Sequence, residues 1–349
     1  MKLIRTEDAV GQVLCQDMTQ IIPGKSKGPR FKKGHVVTEE DISVLLSMGK
    51  VNLYVWEMKP DMVHENDAAH RLADLCLGPG TVAAGEPSEG KINIKAATDG
   101  VLLVNTEKLN AVNATDEVMV ATRKGGFAVR AGEALAGTRV IPLVVREEVL
   151  LAAEAAAAGE RLLEVRPFSV KTAAVIATGS EVATGLIEDA FTPVMMEKLA
   201  AYGIEVTYTA TPGDEMDSVV AAINEARAAG ANLVLCTGGM SVDPDDNTPG
   251  AIKRAGARIV TYGSPVLPGA MLLVGYFDQG VDGEKLAAPV PVLGVPGCAM
   301  YNKATVLDLV LPRVAAGVPL VKQDFVIMGE GGFCLGCKPC TFPVCPFGK

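Results

Sequence analysis

Between residues 168 and 318 the chain alternates short apolar runs with helical stretches, and this rhythm limits the fold more than any other feature. VKTAAVIAT, IEVTYTA, NLVLCT, GARIVTYG and VPVLGV read as strands. PVMMEKLAAYG, DEMDSVVAAINEARAAG and NKATVLDLVLPRVAAG read as helices between or after them. Strands this apolar need both faces covered, and helices on both sides of a mostly parallel sheet supply that cover. The expectation is a three-layer α/β domain over residues 166–318.

The flanking regions have a different texture. Residues 1–60 open with strand-like pieces. A helix then follows, with Thr38 and Asp41 spaced as a capping box and Gly49 at its end. VNLYVWE reads as the next strand. Residues 61–165 start helical around DMVHENDAAHRLADLCLG. They continue with the short strands KINIKA, GVLLV, EVMVATR and RVIPLVV, a small α+β or β-rich lobe. REEVLLAAEAAAAGERLLEV, residues 146–165, is dense in helix formers and predicts a connecting or closing helix. Residues 319–349 are rich in Gly, Pro and Cys and too few to bury a core of their own.

Charge narrows the function. The 41 acidic and 32 basic residues give a net charge of −9, which disfavours non-specific binding to nucleic acid or anionic membranes. Aromatics make up 5% of the chain, too few for a platform that stacks single strands. No apolar window is long enough to span a membrane, and the N-terminus has no secretory apolar core. A cytoplasmic location is expected.

In an open α/β sheet, ligands bind beyond the carboxyl ends of the strands. The loops there are Thr178-Gly179-Ser180-Glu181, Thr211-Pro212-Gly213-Asp214, the long Thr237-Gly238-Gly239-Met240-Ser241 stretch running to Pro249, and Pro296-Gly297-Cys298. Gly238 and Gly239 permit close backbone approach and turn amides toward an anion. Thr248 reads as an N-cap and Pro249 as the first helical turn. Asp243, Asp245 and Asp246 would repel a bare phosphate, and Mg²⁺ shared between carboxylates and substrate phosphates resolves that conflict. The plainer alternative is that these aspartates cap turns and face water. Asp214 and Asp217 also suit the first turn of a helix. Glu181 reads equally as a ligand contact or a solvated charge. Cys298 reads as a packing residue more readily than a reactive thiol. His35, His64 and His70 form no zinc pattern and read as surface histidines.

Eight cysteines are unevenly placed. Cys15, Cys76, Cys236 and Cys298 are scattered, as small buried hydrophobes are. Cys334, Cys337, Cys340 and Cys345 crowd one tail, in a run close to but distinct from the bacterial ferredoxin spacing. Four thiolates so placed predict Zn²⁺ or a [4Fe–4S] cluster, and spacing does not separate the two. The alternative is a reduced, disordered tail.

Several motifs carry a resemblance. TGSEV (178–182), GLIEDAF (185–191), TPGDEMDSVVAAI (211–223), TGGMSVDPDDNTPGAI (237–252) and PVLGVPGCAMY (291–301) resemble the molybdopterin-binding domain shared by the MogA, MoaB and MoeA proteins of molybdenum-cofactor biosynthesis. GHVVTEEDISVLLSMG resembles the start of a MoeA-type protein more loosely. The resemblance implies a molybdopterin ligand, free or adenylylated, at the strand edge. Thr178, Gly179, Ser180, Glu181, Asp189, Thr237, Gly238, Gly239, Ser241, Asp243, Thr248, Pro296 and Gly297 would bind it. Asp246 and Asp214 would act in catalysis with Mg²⁺. It implies molybdate insertion of the molybdotransferase kind and self-association as a dimer. Two departures stand out. Pro268-Gly269-Ala270-Met271 lacks the lysine usual in MoeA-like proteins, and the cysteine tail stands where they carry a β-barrel. Both fit a non-catalytic carrier that docks to a molybdoenzyme. A CinA-like nucleotide hydrolase, which shares the domain, is a third expectation.

Overall fold

The computed structural model describes residues 1–22, 24, 26–55, 61–241, 243 and 246–349. Trp56 and Glu57 of the expected VNLYVWE strand, and Asp245 of the long loop, lie outside the described residues. Two compact units are present. One comprises residues 1–97, 104–123 and 131–164, and the other residues 98–103, 124–130 and 165–349.

The second unit contains a six-stranded sheet. Its strands are β1 (Thr172–Ala177), β2 (Glu205–Ala210), β3 (Val234–Thr237), β4 (Arg258–Tyr262), β5 (Leu273–Gln279) and β6 (Lys285–Val295), in the spatial order β2-β1-β3-β6-β5-β4. The pairs β1–β2, β1–β3 and β3–β6 are parallel, whereas β5 runs antiparallel to both β6 and β4. Helices packed on its faces include α1 (Phe191–Ala200), α2 (Met216–Ala228), α3 (Thr248–Arg254) and α4 (Val306–Ala315).

Period-two alternation within each strand explains the three layers. Val175, Leu235, Leu293 and Val295 join Met195 and Leu199 of α1 and Val306 and Val310 of α4 in one core. Their neighbours Ala174, Ile176, Val234, Cys236 and Val292 join Val219 and Ile223 of α2 and Ile252 of α3 in the other. Ala173–Ala177 of β1, all of β3 and Pro291–Val295 of β6 are therefore buried on one side or the other, which is why these central runs look continuously apolar.

The α/β expectation holds, with one strand added. LVGYFDQ (β5) forms a hairpin with β6 through a turn in which the Glu284 amide donates to Asp282 Oδ1 at 3.0 Å. No helix separates β4 from β5, so the alternating template passes over it.

The C-terminal segment is not a free tail. Phe325 and Phe347 are buried in the same core as α1 and α4, with Phe342, Cys334 and Cys345 packed against it. The Tyr276 hydroxyl accepts the Leu320 amide at 2.8 Å, and Arg313 pairs with Asp324 at 2.7 Å. The segment borrows the core it is too short to make.

The first unit is α+β. Thr81–Ala83, Lys91–Ala96, Ala134–Val140 and Val118–Thr122 make an antiparallel sheet in that order. The capping box forms as expected, the Thr38 amide donating to Asp41 Oδ2 at 2.9 Å. The expected 146–165 helix is shorter. It spans Glu147–Ala157 and ends where Ala158 takes a φ of 52°, and Leu163–Arg166 is a strand.

His64 corrects the surface assignment given to the histidines: it is 1% exposed. Its Nδ1 accepts the Asn66 amide at 3.1 Å and Nε2 donates to the Cys15 carbonyl at 2.7 Å, an arrangement that needs the neutral ring. Burial, the largest influence, pushes the imidazole below its ordinary pKa. The unfolded ring, with a pKa of about 6.5, therefore takes up a proton before the folded one does. Stability from His64 is present above that pH and is lost as pH falls below it. Buried Glu65, raised by burial, acts in the opposite direction: it favours the folded state below its ordinary pKa and loses that stability as pH rises. The measurement is denaturant unfolding between about pH 7.5 and 5.5, comparing wild type with His64→Leu. The decline on acidification should be smaller in the variant; parallel profiles would refute the neutral assignment.

Candidate functional site

Strand register brings the loops to one level. Ala177 stands beside Thr237, Thr237 beside Val295, and Ile176 beside Ala210. The residues that follow, Thr178, Gly238, Pro296 and Thr211, therefore leave the sheet along the same edge. Leu273 is level with Gly294 and Tyr262 with Leu273, so the β4–β5 connection containing Pro268 and Gly269 reaches this edge too.

Three loops are laced together by hydrogen bonds. The Thr178 amide donates to the Thr237 carbonyl at 2.7 Å, and the Thr178 and Thr248 hydroxyls, both buried, lie 3.1 Å apart. Asp214 Oδ2 accepts both the amide and the hydroxyl of Ser180, at 2.8 and 2.7 Å. The Asp214 carbonyl accepts from Asn247 Nδ2 at 3.1 Å. The first loop is thereby tied to the second and third, and the second to the third.

Gly238 shows why this edge tolerates so little change. It has a φ of 88°, and a Cβ there would lie 2.2 Å from the Thr178 carbonyl oxygen. Gly239 is also left-handed, with a φ of 51°. Beside them the buried Thr237 hydroxyl has no hydrogen-bond partner among the described residues. An orphaned buried hydroxyl costs about 1–3 kcal/mol, and such groups call for an explanation, commonly a ligand or water.

The acidic residues divide by what they hold. Asp246 turns into its own loop, Oδ2 accepting the Ser241 amide at 2.6 Å, while its amide donates to the Asp243 carbonyl at 3.0 Å. Asp189 caps α1, with Oδ1 accepting the Phe191 and Thr192 amides at 2.8 and 3.0 Å and Oδ2 accepting the Thr192 hydroxyl. Both of its oxygens serve that local role. Glu181 is exposed. Thr248 is the first residue of α3 rather than its cap, and Asn247 occupies the cap position without a side-chain capping bond. Pro296 and Gly297 share the edge through strand register.

Two residues that the sequence pattern did not single out complete the arrangement. Asn247 is one. Tyr262, at the end of β4, is the other: its hydroxyl donates toward the Met240 and Ser241 carbonyls, at 3.0 and 3.2 Å. Burial first, and the Asp246 carboxylate second, push its phenol up, which keeps it a donor. Only the sheet order reveals its reach.

The remaining candidates sort plainly. Cys298 is half-buried and burial raises its thiol pKa, so it is not an activated nucleophile. Cys15, Cys76 and Cys236 are buried, the last two pushed up to about 12. Among the described residues, no three His, Cys, Asp or Glu side chains are disposed to hold a metal ion. This bears on Mg²⁺ at the aspartates and on Zn²⁺ or Fe–S in the tail alike. A cavity of about 510 Å³ opens near the opposite, amino edge, lined by Asn232, Arg258, Tyr276 and Pro291 among others. Its main polar groups are already engaged, Arg258 with Asp278 and Tyr276 with Leu320, so it is the weaker candidate. No helix among the described residues is long and apolar enough to cross a membrane.

Residues 174–316 match the family described as "Probable molybdopterin binding domain", and residues 3–57 match a "Domain of unknown function (DUF8806)". A CinA-like protein of Desulfosudis oleivorans is 38% identical over 86 residues, 25% of this chain and 21% of that protein. A CinA-like protein of Shewanella frigidimarina is 36% identical over 81 residues, 23% of this chain and 19% of that protein. The chain thus spans about a fifth of the length of these curated relatives. Among solved structures, the tungsten cofactor synthesizing protein MoaB from Pyrococcus furiosus is similar over 47% of this chain and 98% of its own, at 21% identity and a TM-score of 0.31. The molybdopterin biosynthesis Mog protein from Mycobacterium ulcerans is similar over 42% and 97%, at 18% identity and a TM-score of 0.34. The N-terminal match is to a family of unknown function, so the looser MoeA-type resemblance there gains no support. The similarity to the molybdopterin-binding family thus lies in residues 174–316 of this chain.

Proposed function

We propose that the laced edge binds an adenylylated molybdopterin and supports molybdate insertion with release of AMP, a molybdotransferase-like step in molybdenum-cofactor biosynthesis. The observation that carries this is the level edge itself. The left-handed Gly238 and Gly239 lie beside the Thr237 hydroxyl, which has no hydrogen-bond partner among the described residues, a donor set suited to phosphate oxygens.

Mg²⁺ fits this edge only as an ion shared with the substrate. Asp246 and Asp214 each commit Oδ2 to the protein, which leaves Oδ1 on both as a candidate ligand. One or two carboxylates plus substrate phosphates is how Mg²⁺ is commonly held. When bound, the ion would neutralise phosphate charge on an edge that carries Asp214, Asp243 and Asp246. Tyr262 and Ser241 would hold the Asp246 loop in place, and Ser180 would hold Asp214.

The test is AMP release from adenylylated molybdopterin, with Mg²⁺ and molybdate, by anaerobically purified protein. Wild type should release AMP in a molybdate-dependent way. Asp246→Ala should lose at least about 100-fold, the scale of removing a group that stabilises a transition state. Equal turnover by the variant would overturn the role of Asp246. Tight pterin binding without AMP release would make the protein a carrier.

A second reading rests on the CinA-like relatives, one of them 38% identical to this chain over 86 residues. In it the same edge takes a nucleotide diphosphate, and turnover of ADP-ribose or a pyridine dinucleotide would identify it.

A further inference from the structure

We infer that Cys334, Cys337, Cys340 and Cys345 form a binding site for a single thiophilic divalent ion of the Zn²⁺ class. The Gly348 amide donates to the Gly331 carbonyl at 2.9 Å and closes the segment between them into a loop that contains all four cysteines. Gly348 has a φ of 78°, and a Cβ there would lie 2.4 Å from Leu309 Cδ2, so the loop base is pressed against α4. Beside it, Phe347 is buried in the core. At the other end the Cys334 amide donates to the Leu267 carbonyl and the Leu267 amide to the Gly332 carbonyl, both at 2.8 Å. The loop is anchored at both ends by contacts that involve no thiol.

All four thiols are free. Cys334, Cys337 and Cys345 line one small cavity with Phe333, Leu335 and Phe347. Its volume is about 20 Å³, room for one water-sized occupant. Three of the four cysteines thus already share a space of single-ion size, which is the observation that favours one ion. Cys337 and Cys340 are exposed and Cys334 and Cys345 half-buried. The thiols are not yet in ligating positions, so binding draws the two exposed side chains inward. The expected set is tetrahedral Cys₄. Each thiol that ligates gives its proton to solvent, so affinity rises with pH.

Because the anchors are independent of the ion, the metal is not what folds the domain. This inference stands apart from the pterin reading, since its readout needs no pterin.

The experiment uses the full chain, purified anaerobically under reducing conditions, stripped with chelator and titrated with Zn²⁺ and, separately, Co²⁺. Wild type should bind about one ion per chain, with a Co²⁺ spectrum showing thiolate charge transfer and tetrahedral d–d bands. Cys337→Ser/Cys340→Ser, at exposed positions, should lose that stoichiometric binding and that spectrum while keeping the wild-type unfolding transition of the stripped protein. No binding by wild type, equal binding by the variant, or iron with acid-labile sulfide in the protein as first isolated would each overturn the single-ion site. Molybdopterin binding by the same variant should be unchanged.

Discussion

Replacing Gly238 by alanine is expected to lower the stability of the second unit by about 3 kcal/mol and to abolish ligand binding at the strand edge. Two penalties act together. The backbone has a φ of 88°, and the new methyl would sit 2.2 Å from the Thr178 carbonyl oxygen and 2.7 Å from its hydroxyl. Thr178 cannot simply retreat. Its amide is bonded to Thr237 and its hydroxyl is within hydrogen-bond distance of Thr248, so relief at Gly238 would break the lacing of the first and third loops. Denaturant unfolding measures the first effect and equilibrium titration with molybdopterin the second. Gly213→Ala is the control, because the nearest contact of a Cβ there, the Ser180 hydroxyl, is an ordinary 3.8 Å away. If Gly238→Ala behaved like that control, the interlock would not be what shapes the edge.

The second large effect is expected at Phe277, on the antiparallel strand β5. Phe277 is fully buried, and the Arg227 guanidinium lies 4.0 Å from its ring centroid. Arg227 also donates to the Ala255 and Gln279 carbonyls, so the cation is held on the ring. Phe277→Ala removes a core ring and exposes that cation to a cavity, at a cost of about 4 kcal/mol. Phe277→Leu keeps most of the volume and should cost clearly less. Unfolding by denaturant distinguishes them. Near-equal, small effects of both would mean that β5 is peripheral to the sheet.

What the sequence made legible follows from what is local. Strands β1 and β3 and the Pro291–Val295 half of β6 stand out because both faces of each are buried, leaving no polar alternation to obscure them. The Thr38–Asp41 box is legible because its bond spans three residues. By contrast, β5 is set by a hairpin that the helix-alternating rhythm does not contain. The helix that stops at Ala157 is surrounded by helix formers, and only the left-handed Ala158 and Gly159 end it. His64 looked like a surface residue because the carbonyl that accepts from its ring belongs to Cys15, 49 residues away.

The candidate site divides in the same way. Glycines and threonines at strand ends could be read from the chain. That Asp214 holds Ser180, that Asp189 caps α1 and that Tyr262 reaches Met240 are tertiary facts. The C-terminal segment is the clearest case. Its own composition offers no core, and Phe325 and Phe347 find one against α1 and α4.

We propose that the edge formed by Thr178, Gly238, Asp214 and Asp246 recognises a pterin phosphate. This recognition is tested most directly by equilibrium competition. Adenylylated molybdopterin is bound to the anaerobic protein with Mg²⁺, and ADP-ribose is then added as competitor. Saturable binding of about one pterin per chain that ADP-ribose fails to displace at 100-fold excess, and that Gly238→Ala abolishes, is the predicted result. Tight binding of ADP-ribose with no measurable affinity for the pterin would contradict it and assign the edge to nucleotide chemistry.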